Sequence, residues 1–226
     1  MFSARRTLAL VLLAVAVLAY AKDKEPPPPP KAFHARTYPA LDAHSDEQVF
    51  IAADPFDMAD KTAFMQVPYA QHDILPVRII ISNDSDHALN LSQLVIQMNT
   101  VNPRAKLRPA ETDDLYRRLA RQDRRGDEQP KVNVPLPLPG RKLRSQVKKE
   151  WIEEIEALQF KWLVVEPHAT VAGFVFFDVR DLEQPLAGGH IYLTGIRDDR
   201  GQELLFFDIA TEKYLSYRPA PAGQHP

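Results

Sequence analysis

One segment constrains the fold more than any other part of the chain. In residues 170–179, TVAGFVFFDV, apolar residues occupy both sets of alternating positions. Because successive side chains of a strand point to opposite faces, this pattern predicts a strand that is buried on both faces. Val175 and Phe177 would pack against one neighbouring layer, and Phe174 and Phe176 against another. A second sheet can supply one layer, and another part of the chain must supply the other.

An amphipathic helix is the candidate for the second layer. Residues 141–158, RKLRSQVKKEWIEEIEAL, carry apolar residues at spacings of four, four, four and three. They are Leu143, Val147, Trp151, Ile155 and Leu158. This spacing places them on one face of a helix, with charged residues on the others. We therefore predict that Trp151 is buried against the sheet that contains Phe174 and Phe176, or against the neighbouring sheet.

Other strands are predicted at short β-branched or aromatic runs bounded by turn formers. These runs are residues 48–52, 62–67, 74–82, 88–100, 160–165, 190–196 and 203–209. Residues 74–82 and 88–100 are predicted to form a hairpin. The alternation in 88–100 slips near Ser92 and Gln93, which indicates a bulge or a strand that switches sheets. A second hairpin is predicted around RDDRGQ, where Gly201 is available for a positive φ.

The β pattern is interrupted between residues 104 and 158. Residues 112–121, TDDLYRRLAR, are typical of a helix with Thr112 as its N-cap, acidic residues in its first turn and arginines at its far end. With the helix around Trp151, this segment predicts a helical insertion at about 110–158, packed on the sheets. The fold class is therefore mainly β, an antiparallel sandwich of about seven or eight strands in one domain, residues 33–217.

Two segments together resemble a group of known proteins. They are ILPVRIIISNDSDHALNLSQL and VVEPHATVAGFVFFDV, each a strand, a turn and a strand. The pair resembles uncharacterised exported bacterial proteins with a single immunoglobulin-like β-sandwich. That resemblance implies an immunoglobulin-like fold and a location in the cell envelope, and it implies no specific activity.

The N-terminus is typical of an exported protein. A basic start precedes an uncharged apolar run, residues 7–21, which ends in Ala19-Tyr20-Ala21. This pattern predicts a signal peptide, residues 1–21, that is cleaved before Lys22. The mature protein would then be periplasmic or secreted. The alternative is a membrane anchor through residues 7–21, although the run is shorter than the roughly 20 residues a spanning helix needs. A proline-rich linker at 22–32 and a disordered tail at 218–226 would flank the domain.

No residue pattern predicts catalysis, a metal or a cofactor. The chain has no cysteine, which excludes disulfides, thiol catalysis and iron–sulfur clusters. Ser145-Gln146-Val147-Lys148 matches Ser-x-x-Lys, but the partner motifs of penicillin-recognising enzymes are missing. Asp54, Asp57 and Asp60 lack calcium-loop spacing, and no two histidines have the spacing that metal ligands favour. The sequence also lacks nucleotide-binding fingerprints.

The most unusual surface feature is an arginine cluster. Residues 104–149 hold 14 Lys or Arg residues and six Asp or Glu residues. The cluster comprises Arg117, Arg118, Arg121, Arg124 and Arg125. It could contact another envelope protein or an anionic envelope polymer, or it could be a solvated helix face whose arginines pair with the acidic body. Nucleic acid is not expected as a partner, and a membrane is expected only if the leader is uncleaved.

Two functions remain open from sequence. The first is an exported, non-enzymatic binding or structural module that meets its partner through the insertion or a sheet edge. The second is an envelope hydrolase or small-ligand-binding protein with a site between the insertion and the sandwich, built from dispersed residues such as Glu166, His168 and His190. A cavity above roughly 300 Å³ with converging polar groups would favour the second.

Overall fold

The computed structural model describes residues 28–123 and 147–215, with residues 121–123 described by their backbone only. These residues form eleven strands and three α-helices. The strands are β1 (Leu41–His44), β2 (Val49–Pro55), β3 (Ile74–Asn83), β4 (Leu89–Asn90), β5 (Val95–Val101), β6 (Arg104–Leu107), β7 (Val164–Val165), β8 (Ala169–Asp178), β9 (His190–Thr194), β10 (Arg197–Asp198) and β11 (Phe207–Ala210). The α-helices are α1 (Thr112–Asp123), α2 (Lys149–Leu158) and α3 (Glu212–Leu215), and short 3-10 helices lie at Ala35–Thr37 and Tyr69–His72.

The strands form three antiparallel sheets. One has the order β1-β2-β3-β8, and a second has the order β11-β9-β5-β6. A small third sheet has the order β10-β4-β7. The prediction of a mainly β, antiparallel protein is confirmed. No helix in the described ranges is long and apolar enough to cross a bilayer, and the predicted leader and C-terminal tail lie outside those ranges.

The main core lies between the two four-stranded sheets. All ten residues of β3 are buried, and alternate ones, such as Ile79 and Ile81, pack with Met98 and Leu193 of the facing sheet. The small third sheet adds Leu89 and its neighbours to the same core. Each fully buried side chain of this size stabilises the fold by about 1.5–3 kcal/mol. The alternation of side chains along the strands therefore explains why the two four-stranded sheets pack face to face.

The other face of β8 has a separate core. Phe174 and Phe176 pack with Leu115 of α1 and with Trp151 and Ile155 of α2. Trp151 is 8% exposed, and Phe176 is 1% exposed. The prediction that residues 170–179 are covered on both faces is confirmed. The prediction that Trp151 is buried against the sheet of Phe174 and Phe176 is confirmed as well.

Several predictions about strands are wrong. Residues 62–67 form turns rather than a strand. The predicted hairpin of 74–82 with 88–100 does not form, because β3 pairs with β2 and β8. The slip near Ser92 instead separates β4 from β5, which belong to different sheets, so the predicted switch is confirmed. Of 160–165, only Val164–Val165 is a strand. The predicted pairing of the strands on either side of RDDRGQ is confirmed by β9 and β11, and Gly201 has a φ of +82°. The loop is longer than predicted, because Arg197–Asp198 form β10 of the third sheet and β11 begins only at Phe207.

The β pattern is interrupted later in the chain than predicted. Residues 104–107 form β6, which pairs with β5, so the β pattern continues past residue 104. Helix α1 begins at Thr112, and the carbonyl of Glu111 accepts the hydrogen bond of the Leu115 amide at 3.0 Å. Glu111 therefore stands at the N-cap position, and the prediction of Thr112 there is wrong. Helix α2 begins at Lys149, after Val147.

Candidate functional site

The segments that enter and leave the helical insertion both bind the edge of β8. The amide of Ala110 donates to the carbonyl of Phe176 at 2.7 Å, and the amide of Phe160 donates to the carbonyl of Phe174 at 2.8 Å. Gln159 also forms a parallel bridge with Phe174. An open strand edge is a site of unwanted pairing, and these contacts cover part of it. They also fix the start of α1 and the end of α2 on the sheet.

The contact of Phe160 with β8 depends on a glycine. A Cβ atom added at Gly173 would lie 2.5 Å from the Cα and 2.9 Å from the N of Phe160. Both are backbone atoms, so no side-chain rotation could relieve the clash. The glycine in TVAGFVFFDV therefore allows the chain leaving α2 to approach the strand closely.

A cleft of about 510 Å³ opens between these two segments and the β4–β5 connection. Its floor is Phe174, Val175 and Phe176 of β8, and the 108–110 and 159–163 segments form its sides. The size is in the range of ligand-binding cavities. The cleft lies between the helical insertion and the sheets, where sequence placed the second of the two possible sites.

An indole forms the most exposed aromatic surface of the cleft. Trp162 is 50% exposed, yet its Nε1–H donates to the carbonyl of Ala172 at 2.9 Å, which fixes the ring against β8. Leu163 and Val95, which also line the cleft, are 66% and 48% exposed. Exposed apolar side chains that gather at one place mark binding surfaces more often than isolated ones do.

The charged groups of the cleft are both cations. Arg108 and Lys161 line it, together with the polar side chains of Ser92 and Gln159. The Lys161 ammonium donates to the main-chain carbonyl of Glu156, in the last turn of α2. Arg108 is exposed and pairs with no side chain in the part of the chain that the structure describes. Among the described residues that line the cleft there is no Asp, Glu or His.

The described arginines of the predicted cluster are paired within the domain. Arg117 binds Asp114 one turn earlier on α1. Arg118, whose side chain is 15% exposed, lies 2.5 Å from Asp178 and 3.5 Å from Asp73. The side chain of Arg121, and all of Arg124 and Arg125, lie outside the described residues. The same holds for Ala19, Ala21 and Lys22, the predicted signal-peptidase site.

The ion pairs of Asp178 alter its acidity. Burial would raise the pKa of Asp178, but hydrogen bonds from Arg180 and Arg118 outweigh burial and lower it well below the ordinary value. Arg118 therefore joins α1 to the end of β8 and is less available to a partner than the sequence suggested.

The dispersed residues of the alternative site do not meet in the cleft. Exposed His168 lies 3.0 Å from Asp86 at the turn before β8. The Nδ1 of His190 lies 2.6 Å from the Oδ1 of Asp208 on the neighbouring strand β11. Neither histidine, nor Glu166, lines the cleft. Within the described ranges, no group of three or more His, Asp or Glu residues is arranged to hold a metal ion.

Sequence reasoning missed the residues that do line the cleft. FKWLVV is apolar at nearly every position, a pattern that predicts one strand and gives no sign that Trp162 and Leu163 are exposed. Arg108 was only one of many basic residues in its region. The sequence feature that could have indicated the cleft is Phe160-Lys161-Trp162, in which a cation stands between two aromatic residues just after an amphipathic helix.

Comparison of the chain with protein-family models, with curated proteins and with solved structures gives no match.

Proposed function

We propose that the chain is an exported, non-enzymatic binding module of the cell envelope, and that the cleft beside β8 holds an anionic envelope polymer. The observation that carries the proposal is the composition of the cleft. It joins a fixed, half-exposed indole at Trp162 to two cations, Arg108 and Lys161, and no carboxylate is among the described residues that line it. Polymers of acidic sugars carry the complementary groups, which are flat apolar ring faces and regularly spaced anions.

The indole and the cations would have separate roles. Trp162 presents a rigid amphipathic ring surface against which a sugar ring packs at little cost in side-chain entropy. Arg108 and Lys161 attract carboxylate or sulfate groups on neighbouring sugars. Since Arg108 is exposed, its contribution is expected to fall as salt is added.

The same lining favours binding over hydrolysis. General acid–base catalysis uses a side chain such as Asp, Glu or His within hydrogen-bond reach of the substrate. The described lining of the cleft offers none, and its hydroxyl, Ser92, has no imidazole beside it. We therefore prefer the binding module to the envelope hydrolase.

We further propose that the sandwich is immunoglobulin-like. The order β11-β9-β5-β6 corresponds to strands G, F, C and C′ of that fold, and β2-β3-β8 corresponds to A, B and E. The helical insertion then occupies the part of the chain between C′ and E. An experimental structure with another strand order would contradict this assignment.

The test uses polygalacturonate, an acidic sugar polymer, with its methyl ester as a matched neutral polymer. The chain from Lys22 onward should bind the acidic polymer at least about tenfold more tightly than the ester, a difference of about 1.4 kcal/mol. Trp162→Ala, and Arg108→Gln with Lys161→Gln, should each weaken binding about tenfold. Arg104→Gln is the control, since it removes an exposed positive charge from β6 outside the cleft.

Equal binding of the two polymers would contradict the role of the cations. Unchanged binding by Trp162→Ala would contradict the placement of the ligand in the cleft. No binding of polygalacturonate at low salt would contradict the proposed class of ligand. Intact-mass measurement on fractionated cells tests the export step separately, because a mass that begins at Lys22 requires cleavage after Ala21.

A further inference from the structure

A second cavity, of about 500 Å³, lies on the helix-covered face of the β1-β2-β3-β8 sheet. Arg78 of β3 lines it, with Asp54 opposite on β2. The 56–64 segment and the 28–33 segment complete the walls. None of its lining residues belongs to the cleft beside β8, so the two can be tested independently.

Arg78 is the only charged residue in β3, ILPVRIIISN, the strand between β2 and β8. Its relative exposure is 8%. Its guanidinium carbon lies 5.9 Å from the centre of the Phe174 ring, and no described side chain forms a hydrogen bond or an ion pair with it. A guanidinium carries five N–H donors, and burying it without partners is costly. With no hydrogen-bond partner among the described residues, the donors of Arg78 are available to the cavity that it lines.

The nearest carboxylate is already engaged. Asp54 lies opposite Arg78 in the β2–β3 register, but its Oδ1 accepts from Lys61, which also donates to the carbonyl of Pro55. Lys61 is held further by the ring of Tyr214, 4.6 Å away. Lys61 is therefore the partner of the part-buried Asp54 carboxylate, and the N–H donors of Arg78 are left for a ligand.

The remaining walls are apolar and mainly aromatic. Phe56, Phe64, Tyr38 and Phe33 line the cavity, and Phe33 is 62% exposed at its outer side. Pro28, Pro30 and Lys31 form the outer wall, so the end of the proline-rich segment borders the space. Across the lining, three basic residues stand against two carboxylates, a balance of +1. A buried guanidinium within aromatic walls suits a ligand with one anionic end and a flat apolar body.

We propose that this cavity binds a small aromatic carboxylic acid. Its carboxylate accepts two parallel N–H bonds from Arg78, and its ring packs against the aromatic wall that includes Phe56 and Tyr38. Lys31 at the outer wall adds a second positive charge near the entrance. Cavities that hold small molecules measure about 300–1,000 Å³, so the space accommodates a ligand of one or two rings.

Calorimetric titration with 3-phenylpropionate, and with the neutral 3-phenylpropanamide, tests the proposal on the chain from Lys22 onward. The acid should bind at least about tenfold more tightly than the amide, and Arg78→Lys should remove about that factor, because an ammonium cannot form the bidentate pair. Arg104→Gln should bind the acid as the unsubstituted chain does. In the ¹⁵N spectrum, the Arg78 Nε–H signal should move downfield when the acid is added.

Two measurements keep the test decisive if Arg78→Lys does not fold. The Nε–H signal is observed in the unsubstituted chain, and Ala63→Trp places a large side chain from an exposed lining position into the space. Ala63→Trp should weaken binding of the acid about tenfold. Equal affinity for acid and amide, an unmoved Nε–H signal, unaltered binding by Ala63→Trp, or no binding at millimolar acid would each overturn the proposal.

Discussion

The two tryptophans of the chain allow one matched comparison of buried and exposed packing. Trp151 lies in α2 and is 8% exposed, and Trp162 lies at the cleft and is 50% exposed. The ring of Trp151 meets His72 edge-on at 5.6 Å, and the ammonium of Lys148 lies 4.4 Å from its centre. Replacement of each by alanine therefore removes the same atoms from two different environments.

The expected losses follow from these environments. Trp151→Ala leaves a cavity in the core that covers β8, so it should lower the free energy of unfolding by about 3–5 kcal/mol. Trp162→Ala removes about half as much buried surface and one hydrogen bond, to Ala172, so it should cost about 1–2 kcal/mol. For a domain of this size, about 2–4 °C accompany each kcal/mol, so Trp151→Ala should lower Tm by about 6–20 °C.

Urea denaturation followed by circular dichroism measures both losses. Each variant keeps a single tryptophan, so its fluorescence also reports one environment, with Trp151 emitting at shorter wavelength than Trp162. A loss below about 1 kcal/mol for Trp151→Ala would refute the packing of α2 on β8. Equal losses of stability for the two variants would contradict the difference in burial between Trp151 and Trp162.

Three further changes test separate contacts. Gly173→Ala should cost about 2–4 kcal/mol in urea denaturation, because its Cβ displaces the backbone of Phe160 from β8; a neutral effect would contradict that close approach. Glu154→Ala should cost about 1–3 kcal/mol, because two loop amides lose their acceptor, whereas Glu154→Gln should restore only part of this loss, since its one amide oxygen can accept from only one of the two amides. The pKa of Asp178 is lower in the folded state, so its ion pairs stabilise the fold above about pH 4 and lose this effect as pH falls. Arg118→Gln should raise that pKa in a carboxyl NMR titration and flatten the acid limb of the stability profile, and an unshifted Asp178 would contradict the pairing.

The elements whose apolar residues recur at regular spacing were predictable from the sequence. Residues 170–179 and the helix around Trp151 each carry enough apolar positions to show both their type and their buried faces. Their packing against each other was also predictable, because a strand that is apolar on both faces must be buried by a layer of protein on each side. The length of α2 was overestimated, since Val147 keeps the apolar spacing but lies before the helix.

Strand partners were not predictable in the same way. Residues 74–82 and 88–100 are close in the chain, which favoured a hairpin, but β3 pairs instead with β8, some 90 positions further on. Pairing depends on long-range packing that local patterns do not encode. The cleft has the same origin, because Arg108 and Lys161 come from opposite ends of the helical insertion. Arg78 was visible as a lone charge within ILPVRIIIS, yet only the fold shows that its carboxylate neighbour is engaged by Lys61.

The edge of β8 explains why the cleft lies beside the insertion. β8 ends its sheet, so its outer main-chain groups need cover. Among the described residues, three groups supply this cover: the amides of Ala110 and Phe160 and the indole N–H of Trp162. Ala110 and Phe160 are at the two ends of the insertion, so its entry and exit are both fixed on β8, and the cleft lies against the same strand. A deletion of the insertion would thus remove the walls of the site and expose the edge, and we expect such a chain to associate through β8 as well as to lose binding.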